Sequence, residues 1–243
     1  MSIILNGTTG ITAPAGTLNR SGDGDIITLE KDGVYKGLIG INGNDPYFGR
    51  RAGVGITAQN NKIRPADGDD GSGYDNAVDL GEPTYRFKNL YLSGGVYVGG
   101  TGSANYLDDY EEGTFTPALE IGGSTSGITY SEQVGLYVKI GTFCYVQITI
   151  SLSSKGSNSG VLTFNNLPFL SDNTTGARGG GTVNFFGQMS GVNGAPTVYG
   201  EQGTYRTGLY DAGNSIVALS QMDNTNLTNS TYMRITYVYQ TNS

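Results

Sequence analysis

Four carboxylates close together in the middle of the chain are the first residues to consider for chemistry: Asp108, Asp109, Glu111 and Glu112. Glycosidases place two carboxylates around the bond that they cleave, one as an acid and the other as a nucleophile or base. Adjacent acids on a connecting segment usually form a solvated face, however, and no nearby residues suggest a sugar cleft. We therefore predict no catalytic residues here.

A second acidic segment, 67–75, has a superficial similarity to a calcium-binding loop. An EF-hand loop needs oxygen ligands at its first, third and fifth positions and a glutamate at its twelfth. Here the fifth position is Gly71 and the twelfth is Val78. The pattern fails at both positions, so we predict a solvated turn and no metal site.

Several kinds of catalysis are excluded by the residue types that the chain lacks. It has no histidine, so a catalytic triad or dyad with an imidazole base cannot form. Its one cysteine, Cys144, has no partner for a disulfide and gives a poor ligand set for transition metals. We predict that the chain is not an enzyme and that it binds no cofactor.

The charge of the chain limits its partners. Its 243 residues carry a net charge of −7, and an acidic chain lacks the basic surface on which nucleic-acid binding depends. No apolar run approaches the ~20 residues that a membrane-spanning helix needs. The N-terminal residues also lack the basic flank and apolar block of a signal peptide. We predict synthesis in a reducing cytoplasm, no binding of nucleic acid and no insertion into membranes.

Short apolar segments separated by glycine, aspartate and asparagine fill the first part of the chain, for example 26–29, 38–41, 90–92 and 96–98. Most are shorter than the ~5–6 residues of a typical strand. Such segments become stable when several chains interdigitate and glycine allows close backbone approach. We predict an intertwined, homotrimeric β stem over residues 21–104, the alternative being a partly disordered arm. The predicted trimer core consists of Leu90, Leu92, Val96 and Val98.

Residues 1–20 contain one short apolar run, Ile3, Ile4 and Leu5, followed by turn-forming residues. A run of this length cannot close a core by itself. One interpretation is a short first strand. The other, which we adopt, is a docking segment that becomes ordered against a larger assembly.

The C-terminal part of the sequence has the clearest strand pattern. Residues 105–113 form a connector with some helical propensity, and regular alternation begins at Thr114. Over 143–152 every second residue is apolar, which is typical of a half-buried strand. The segment 128–140 pairs with it, and its predicted inner face is Leu136, Val138 and Ile140. With further strands through 232–240, we predict an all-β head over 114–243, either a β-sandwich or a jelly roll.

The loops of this head contain tyrosine and asparagine, which suit carbohydrate because a ring stacks on a sugar while amides bond to its hydroxyl groups. We predict that a receptor, a glycan or a protein of a cell surface, binds there. The candidate receptor-binding residues are Asp172, Asn173, Tyr199, Tyr205, Tyr210, Asn224 and Asn226.

Two segments resemble sequences that recur in tailed-bacteriophage fibre and appendage proteins: 86–96 (RFKNLYLSGGV) and 107–117 (LDDYEEGTFTP), the second followed by 128–130 and 135–141. In that family the first segment is similar to the end of a trimeric stem and the second to the start of a β-sandwich head. The resemblance covers about residues 80–152.

The resemblance implies a structural virion protein made in a bacterial cytoplasm. On this hypothesis it is a homotrimer that docks on other virion proteins through its N-terminus and binds a host receptor through its head. One alternative is a fibre or cement protein that decorates the capsid. The other, which we rank lower, is a polysaccharide depolymerase.

Overall fold

The computed structural model describes residues 18–213 and 219–242. Strands make up 55% of the chain and helix 3%, which confirms the predicted all-β class. The chain divides into two compact units, Met1–Tyr91 and Leu92–Ser243. The predicted stem, connector and head boundaries stay predictions. Three predicted docking residues lie outside the described residues: Ile3, Ile4 and Leu5.

The N-terminal unit contains an antiparallel meander in which each strand pairs with the next along the chain. Its strands are β1 (Gly24–Lys31), β2 (Val34–Asn42), β3 (Asp45–Arg50), β4 (Val54–Gln59) and β5 (Lys62–Asp67). Asp32 and Gly33 join the first two strands, and Asn60 and Asn61 join the last two. All four residues have φ between 44° and 69°, as a type I′ hairpin turn requires.

One face of the meander is covered and the other is open. The covered face buries Leu38, Tyr47 and Ala66. Gly71, in the segment after β5, lies so close to the Tyr47 ring that a Cβ there would be 2.5 Å from a ring carbon. Its φ of 73° is also one that favours glycine. This glycine therefore lets the segment close over the small core of the unit.

The open face is apolar. Ile39, Phe48 and Ile56 lie directly opposite one another on β2, β3 and β4, and between 39% and 54% of each residue is exposed. Ile63 on β5 is 81% exposed. Together with their neighbours these residues line a shallow cavity of about 270 Å³. We call Ile39, Phe48, Ile56 and Ile63 the open apolar face.

The predicted trimer-core residues are accessible within the chain. Leu90, Leu92, Val96 and Val98 are each between 42% and 66% exposed. No strand is assigned over residues 68–95. The assignment of these four residues to a contact between chains stays a prediction.

The helical propensity of the connector does not produce an α-helix. A 3₁₀ turn at Ser103–Asn105 is followed by β7 (Tyr106–Leu107) and β8 (Tyr110–Phe115). β7 pairs with β6 (Val96–Tyr97), and β8 pairs with β10 (Thr129–Ile140). Pairing with a partner strand thus outweighs a weak local preference for helix.

A ten-stranded antiparallel sheet, curled into a half-barrel, forms most of the C-terminal unit. Its strands follow the order β8-β10-β11-β17-β13-β14-β15-β12-β9, with β16 added beside β15. The strands not yet given are β9 (Ala118–Ile121), β11 (Phe143–Ser154), β12 (Leu162–Asn165), β13 (Gly180–Met189), β14 (Pro196–Gly200), β15 (Thr207–Asp211), β16 (Ser220–Gln221) and β17 (Leu227–Gln240). The two layers expected of a sandwich are parts of one continuous sheet here.

Alternation along the two central strands builds the core, as predicted. The alternating buried residues of these strands are Cys144, Val146, Ile148, Ile150, Leu152, Met233, Ile235, Tyr237 and Tyr239, and Leu227 and Thr231 are also buried near the start of β17. They pack with Leu119, Leu162, Phe164 and Leu209 from the other arm of the curled sheet. Because side chains alternate between faces, the intervening polar residues of β11 and β17 lie on the outer face.

The predicted inner face of β10 is wrong. Leu136 and Ile140 are 46% and 52% exposed, whereas Lys139 is buried. Pairing places Lys139 opposite the buried Cys144. A lysine can be buried here because its ammonium pairs with the Asp109 carboxylate, which compensates for the lost hydration. That partner lies far away in sequence, so the local pattern does not reveal it.

This sheet has two ends, and each is defined by the strand termini that lie there. At one end β8 begins, β10 turns into β11 through Gly141 and Thr142, and β17 finishes at Gln240. We call this the connector end. At the other end β11 finishes at Ser154 and β17 begins at Leu227; we call it the opposite end.

Candidate ligand-binding groove

Three of the predicted receptor-binding residues lie at the connector end: Asp172, Asn173 and Tyr205. The Asp172 N–H donates to the Gln240 carbonyl at 2.8 Å, and the Leu167 N–H donates to the Tyr205 carbonyl at 3.1 Å. Asn173 packs beside Gly203, where a Cβ would lie 3.1 Å from its side-chain oxygen. These residues share one loop cluster.

Two others lie at the opposite end. Asn224 and Asn226 belong to a 3₁₀ turn whose N-cap is Asp223. The Asn224 side-chain oxygen accepts from the Gly160 N–H at 3.0 Å, and the Asn226 amide donates to the Ser190 carbonyl at 2.9 Å. Both amides therefore tie neighbouring loops together.

The remaining two residues, Tyr199 and Tyr210, contact each other edge to face with ring centroids 6.1 Å apart. Tyr199 is on β14 and Tyr210 on β15, and the Arg178 guanidinium lies 5.5 Å from the centre of the Tyr199 ring. The seven predicted residues therefore occupy separate parts of the sheet. Their role in receptor binding stays a prediction.

A different surface has the geometry of a ligand site. Two cavities of about 310 Å³ and 180 Å³ share Thr149, Phe185 and Arg234 on the outer face of the sheet. We call their combined surface the outer groove. Its side chains on that face are Glu132, Gln147, Thr149, Ser151, Asn184, Phe185, Tyr232, Arg234 and Thr236.

An aromatic platform forms the base of the outer groove. The rings of Phe185 and Tyr232 are stacked with centroids 5.2 Å apart. Tyr232 lies across Gly187, where a Cβ would be 2.2 Å from the tyrosine hydroxyl. Phe185 is 54% exposed. An aromatic ring that is half exposed and has an immobilised neighbour can stack on the apolar face of a sugar.

A bulge in β13 positions the polar part of the groove. The pairing with β17 shifts between Val183 and Phe185, so Asn184 has no partner in the ladder. The Thr182 hydroxyl donates to the Asn184 side-chain oxygen at 2.6 Å, and the Asn184 amide donates to the Thr236 hydroxyl at 2.6 Å. The asparagine is thereby held beside Phe185.

Arg234 brings a positive charge to the same place. Its guanidinium carbon lies 5.5 Å from the centre of the Phe185 ring. In the described ranges, 18–213 and 219–242, the only ion pairs are Arg51–Asp69, Lys139–Asp109 and Arg206–Glu120. The Arg234 guanidinium is therefore unpaired there, and so is the Glu132 carboxylate. The groove offers aromatic, amide, hydroxyl and charged groups on one surface.

Three of the four carboxylates first considered for catalysis have structural partners instead. Asp109 pairs with the buried Lys139. The Tyr137 hydroxyl donates to Glu111 at 2.5 Å, and this bond raises the pKa of Tyr137. The Tyr110 hydroxyl donates to Glu112 at 2.7 Å. These acids stabilise the connector end of the sheet.

Two other features are absent from the part of the chain that the structure describes. That part contains no group of three or more carboxylate or cysteine side chains that could hold a metal ion. It also contains no helix with the length and apolar character needed to cross a bilayer.

The sequence contained only a weak signal for the outer groove. The outward positions of β11 and β17 are visible in the alternation. The groove, however, is formed by four strands, β10, β11, β17 and β13, and its lining includes Glu132 of β10 and Thr236 of β17. The bulge at Asn184 interrupts the alternation of β13. The local sign in the sequence is Phe185-Phe186-Gly187, in which aromatic residues are followed by a glycine without a side chain. The missing side chain leaves room for a ring from the neighbouring strand.

Comparison with known proteins gives one weak structural similarity to report. Part of the chain is similar to the Dettilon tailspike protein, with 19% identity and a TM-score of 0.45. The match covers 55% of this chain and 24% of the tailspike chain, so it spans about a quarter of that protein. No protein-family model and no curated protein matches the chain.

The comparison corrects one prediction. Tailspike proteins usually have depolymerase activity, and paired carboxylates hydrolyse glycosidic bonds without histidine. The prediction that the chain is not an enzyme is therefore withdrawn. At this TM-score the similarity transfers no activity to the chain, so hydrolysis is a question for direct measurement.

Proposed function

We propose that this protein is a homotrimeric virion appendage that binds a host-surface glycan through the outer groove of its C-terminal unit. The observation that carries the proposal is the platform of Phe185 and Tyr232 beside Asn184 and Arg234. Glycan sites combine these elements, because a ring packs on the sugar while amides and charged groups bond to its hydroxyls. The two segments that resemble phage fibre proteins support the assignment to a virion.

Exposed apolar surfaces support self-association. The open apolar face of the N-terminal unit presents Phe48 and Ile56 at 53% and 54% exposure. On the outer face of the C-terminal unit, near the connector end, Ile140 and Phe143 are directly paired and are 52% and 54% exposed. Monomeric proteins rarely expose large contiguous patches of this kind. We assign both surfaces to contacts between copies of the chain, and the number three follows from the resemblance.

The glycan proposal is tested with the labelled full chain on an array of bacterial capsular and lipopolysaccharide glycans. We expect a subset of glycans to be bound and the Phe185→Ala variant to bind them at least about tenfold more weakly, equivalent to ~1.4 kcal/mol. Phe186→Ala is the matched control, since Phe186 lies opposite Met233 and lines neither cavity. Equal binding by wild type and Phe185→Ala would contradict the proposal.

Two further readouts complete the test. Mass spectrometry of each bound glycan after incubation shows whether oligosaccharides are released, which would add hydrolysis to binding. Antibody labelling of phage particles in electron micrographs locates the protein on the tail or on the capsid. Particles without label would contradict the assignment to the virion.

A further inference from the structure

We propose that the outer groove selects an acidic glycan and that Arg234 binds the carboxylate of a uronic acid unit. This inference rests on the proposed function, because it specifies the ligand of the same groove. It follows from the unpaired positive charge of the Arg234 side chain among the described residues and from the way this side chain packs.

The Arg234 guanidinium has its hydrogen-bond donors available. Within the described residues, Arg51 and Arg206 each have a carboxylate partner, at 3.8 Å and 3.1 Å, whereas Arg234 has none. Its side chain makes no hydrogen bond among those residues, and it is exposed on β17, one of the two central strands of the groove. A guanidinium presents its donors as a planar fork that matches a carboxylate in a bidentate arrangement.

Packing orients this fork before a ligand binds. The guanidinium carbon lies 5.5 Å from the Phe185 ring centre, and Phe185 itself stacks on Tyr232. A sugar that stacks on the platform would therefore bring its substituents next to the guanidinium. Preorganisation of this kind reduces the entropy that is lost on binding.

The rest of the groove favours a singly charged sugar over a doubly charged phosphate. Asn184, Gln147 and Thr236 offer neutral hydrogen-bonding groups that suit hydroxyls. Glu132, which is the other charged residue of the lining, carries a negative charge in the same groove, and the whole chain has a net charge of −7. Repulsion from these charges grows with the charge of the ligand. One carboxylate on an otherwise neutral sugar fits this balance.

The test uses the full chain on an array in which each uronic-acid polysaccharide is printed beside its carboxyl-reduced form and beside phosphate-containing glycans. We expect wild type to bind the acidic form at least about tenfold more strongly than the reduced form, with a preference that weakens as salt is added. Arg234→Gln should bind both forms about equally. Arg178→Gln is the control, because Arg178 also lies 5.5 Å from an aromatic ring, that of Tyr199, but outside the groove.

The outcomes separate this inference from the proposed function. If the reduced forms, neutral glycans or phosphate-containing glycans are bound as well as the acidic ones, the inference is overturned while glycan binding stands. The same holds if Arg234→Gln keeps the preference of wild type. If no glycan is bound in a manner that depends on Phe185, both fail. Melting temperatures of the variants verify that each is folded.

Discussion

The ring of Tyr232 is stacked against that of Phe185, with planes 29° from parallel. The pair exists because β13 has a glycine where the tyrosine ring crosses it. Two neighbouring strands therefore share an aromatic surface that neither could form alone. The base of the outer groove consists of this arrangement.

Gly187→Ala is predicted to damage the groove. The added Cβ would lie 2.2 Å from the Tyr232 hydroxyl and 2.3 Å from the adjacent ring carbon, so the ring must move. We expect glycan affinity to fall at least about fivefold, measured by isothermal titration calorimetry. Gly180→Ala in the same strand is the control, because a Cβ there meets nothing within 4 Å. Equal affinities for the two variants would contradict this account.

The two stacked core tyrosines, Tyr237 and Tyr239, should respond differently to loss of their hydroxyls. The Tyr239 hydroxyl donates to the Phe169 carbonyl at 3.1 Å and accepts from its N–H at 3.2 Å. The Tyr237 hydroxyl is buried without a hydrogen-bond partner among the described residues, and burial raises its pKa to about 12. The hydroxyl of Thr207 donates to the Tyr199 carbonyl instead.

We therefore expect Tyr239→Phe to cost about 1–2 kcal/mol of unfolding free energy and Tyr237→Phe to change it by less than about 0.5 kcal/mol. Urea denaturation at one fixed protein concentration measures both, since self-association would make stability depend on concentration. A larger loss for Tyr237→Phe would indicate a hydrogen bond at that hydroxyl.

Asp211 should make the protein sensitive to acid. The Asn193 N–H, at 2.8 Å, and the Gly213 N–H, at 2.9 Å, donate to its carboxylate, and these bonds lower the pKa of Asp211. A lowered pKa in the folded state contributes stability above the unfolded value of about 3.9. This contribution is lost as the pH falls through the folded value.

Asp211→Asn tests this directly. We expect the variant to melt below wild type at pH 7, and the difference to be smaller at pH 3, because below about 3.9 the carboxyl of the unfolded chain takes up a proton and the stabilisation from the lowered pKa declines. Asp79→Asn, at an exposed position, should match wild type at both pH values. A difference in melting temperature that does not change with pH would mean that the charge of the Asp211 carboxylate does not contribute to stability.

The open apolar face should control self-association. Phe48→Asp places a charge among Ile39 and Ile56, and burying that charge between chains without a partner is costly. We expect light scattering after size exclusion to give about three times the 25.5 kDa chain mass for wild type and a smaller mass for the variant. Lys62→Glu alters the other face of the same sheet and should keep the wild-type mass. A wild-type monomer would refute the assignment.

The pair of Lys139 and Asp109 should be asymmetric. The Lys139 side chain is 5% exposed and that of Asp109 43%. Asp109→Asn leaves a buried ammonium without its counter-charge, which should cost about 1–3 kcal/mol, whereas Lys139→Met replaces the buried charge by an apolar chain at little cost. In chemical denaturation the double variant should therefore be more stable than Asp109→Asn. A double variant that is less stable would contradict this.

Alternation predicted the fold well where one face of a strand is buried and the other is polar. β11 and β17 meet that condition, and the alternation over 143–152 predicted the buried side of β11 correctly. β10 does not, because Leu136 and Ile140 are apolar on the outer face while Lys139 is inside. A charged residue is predicted to be exposed unless its partner is known, and Asp109 lies 30 residues away from Lys139 in sequence.

The candidate groove was not predictable to the same degree. Predicting it requires the order of four strands and a bulge at Asn184, and neither is set by the residues next to it in sequence. The seven candidate receptor-binding residues follow from composition alone, and Tyr199 and Tyr210 among them lie on strands. Composition and alternation therefore predict the class of fold, while the position of a ligand site depends on pairing between distant strands.

Cys144 lies in the core, fully buried on β11, and burial raises the pKa of its thiol. The reactive form of cysteine is the thiolate, so this side chain should resist alkylation in the folded protein. A second cysteine introduced at an exposed position can consequently be labelled with a maleimide dye while Cys144 stays in place. Pairs of chains labelled in this way would report by energy transfer how the copies assemble and exchange.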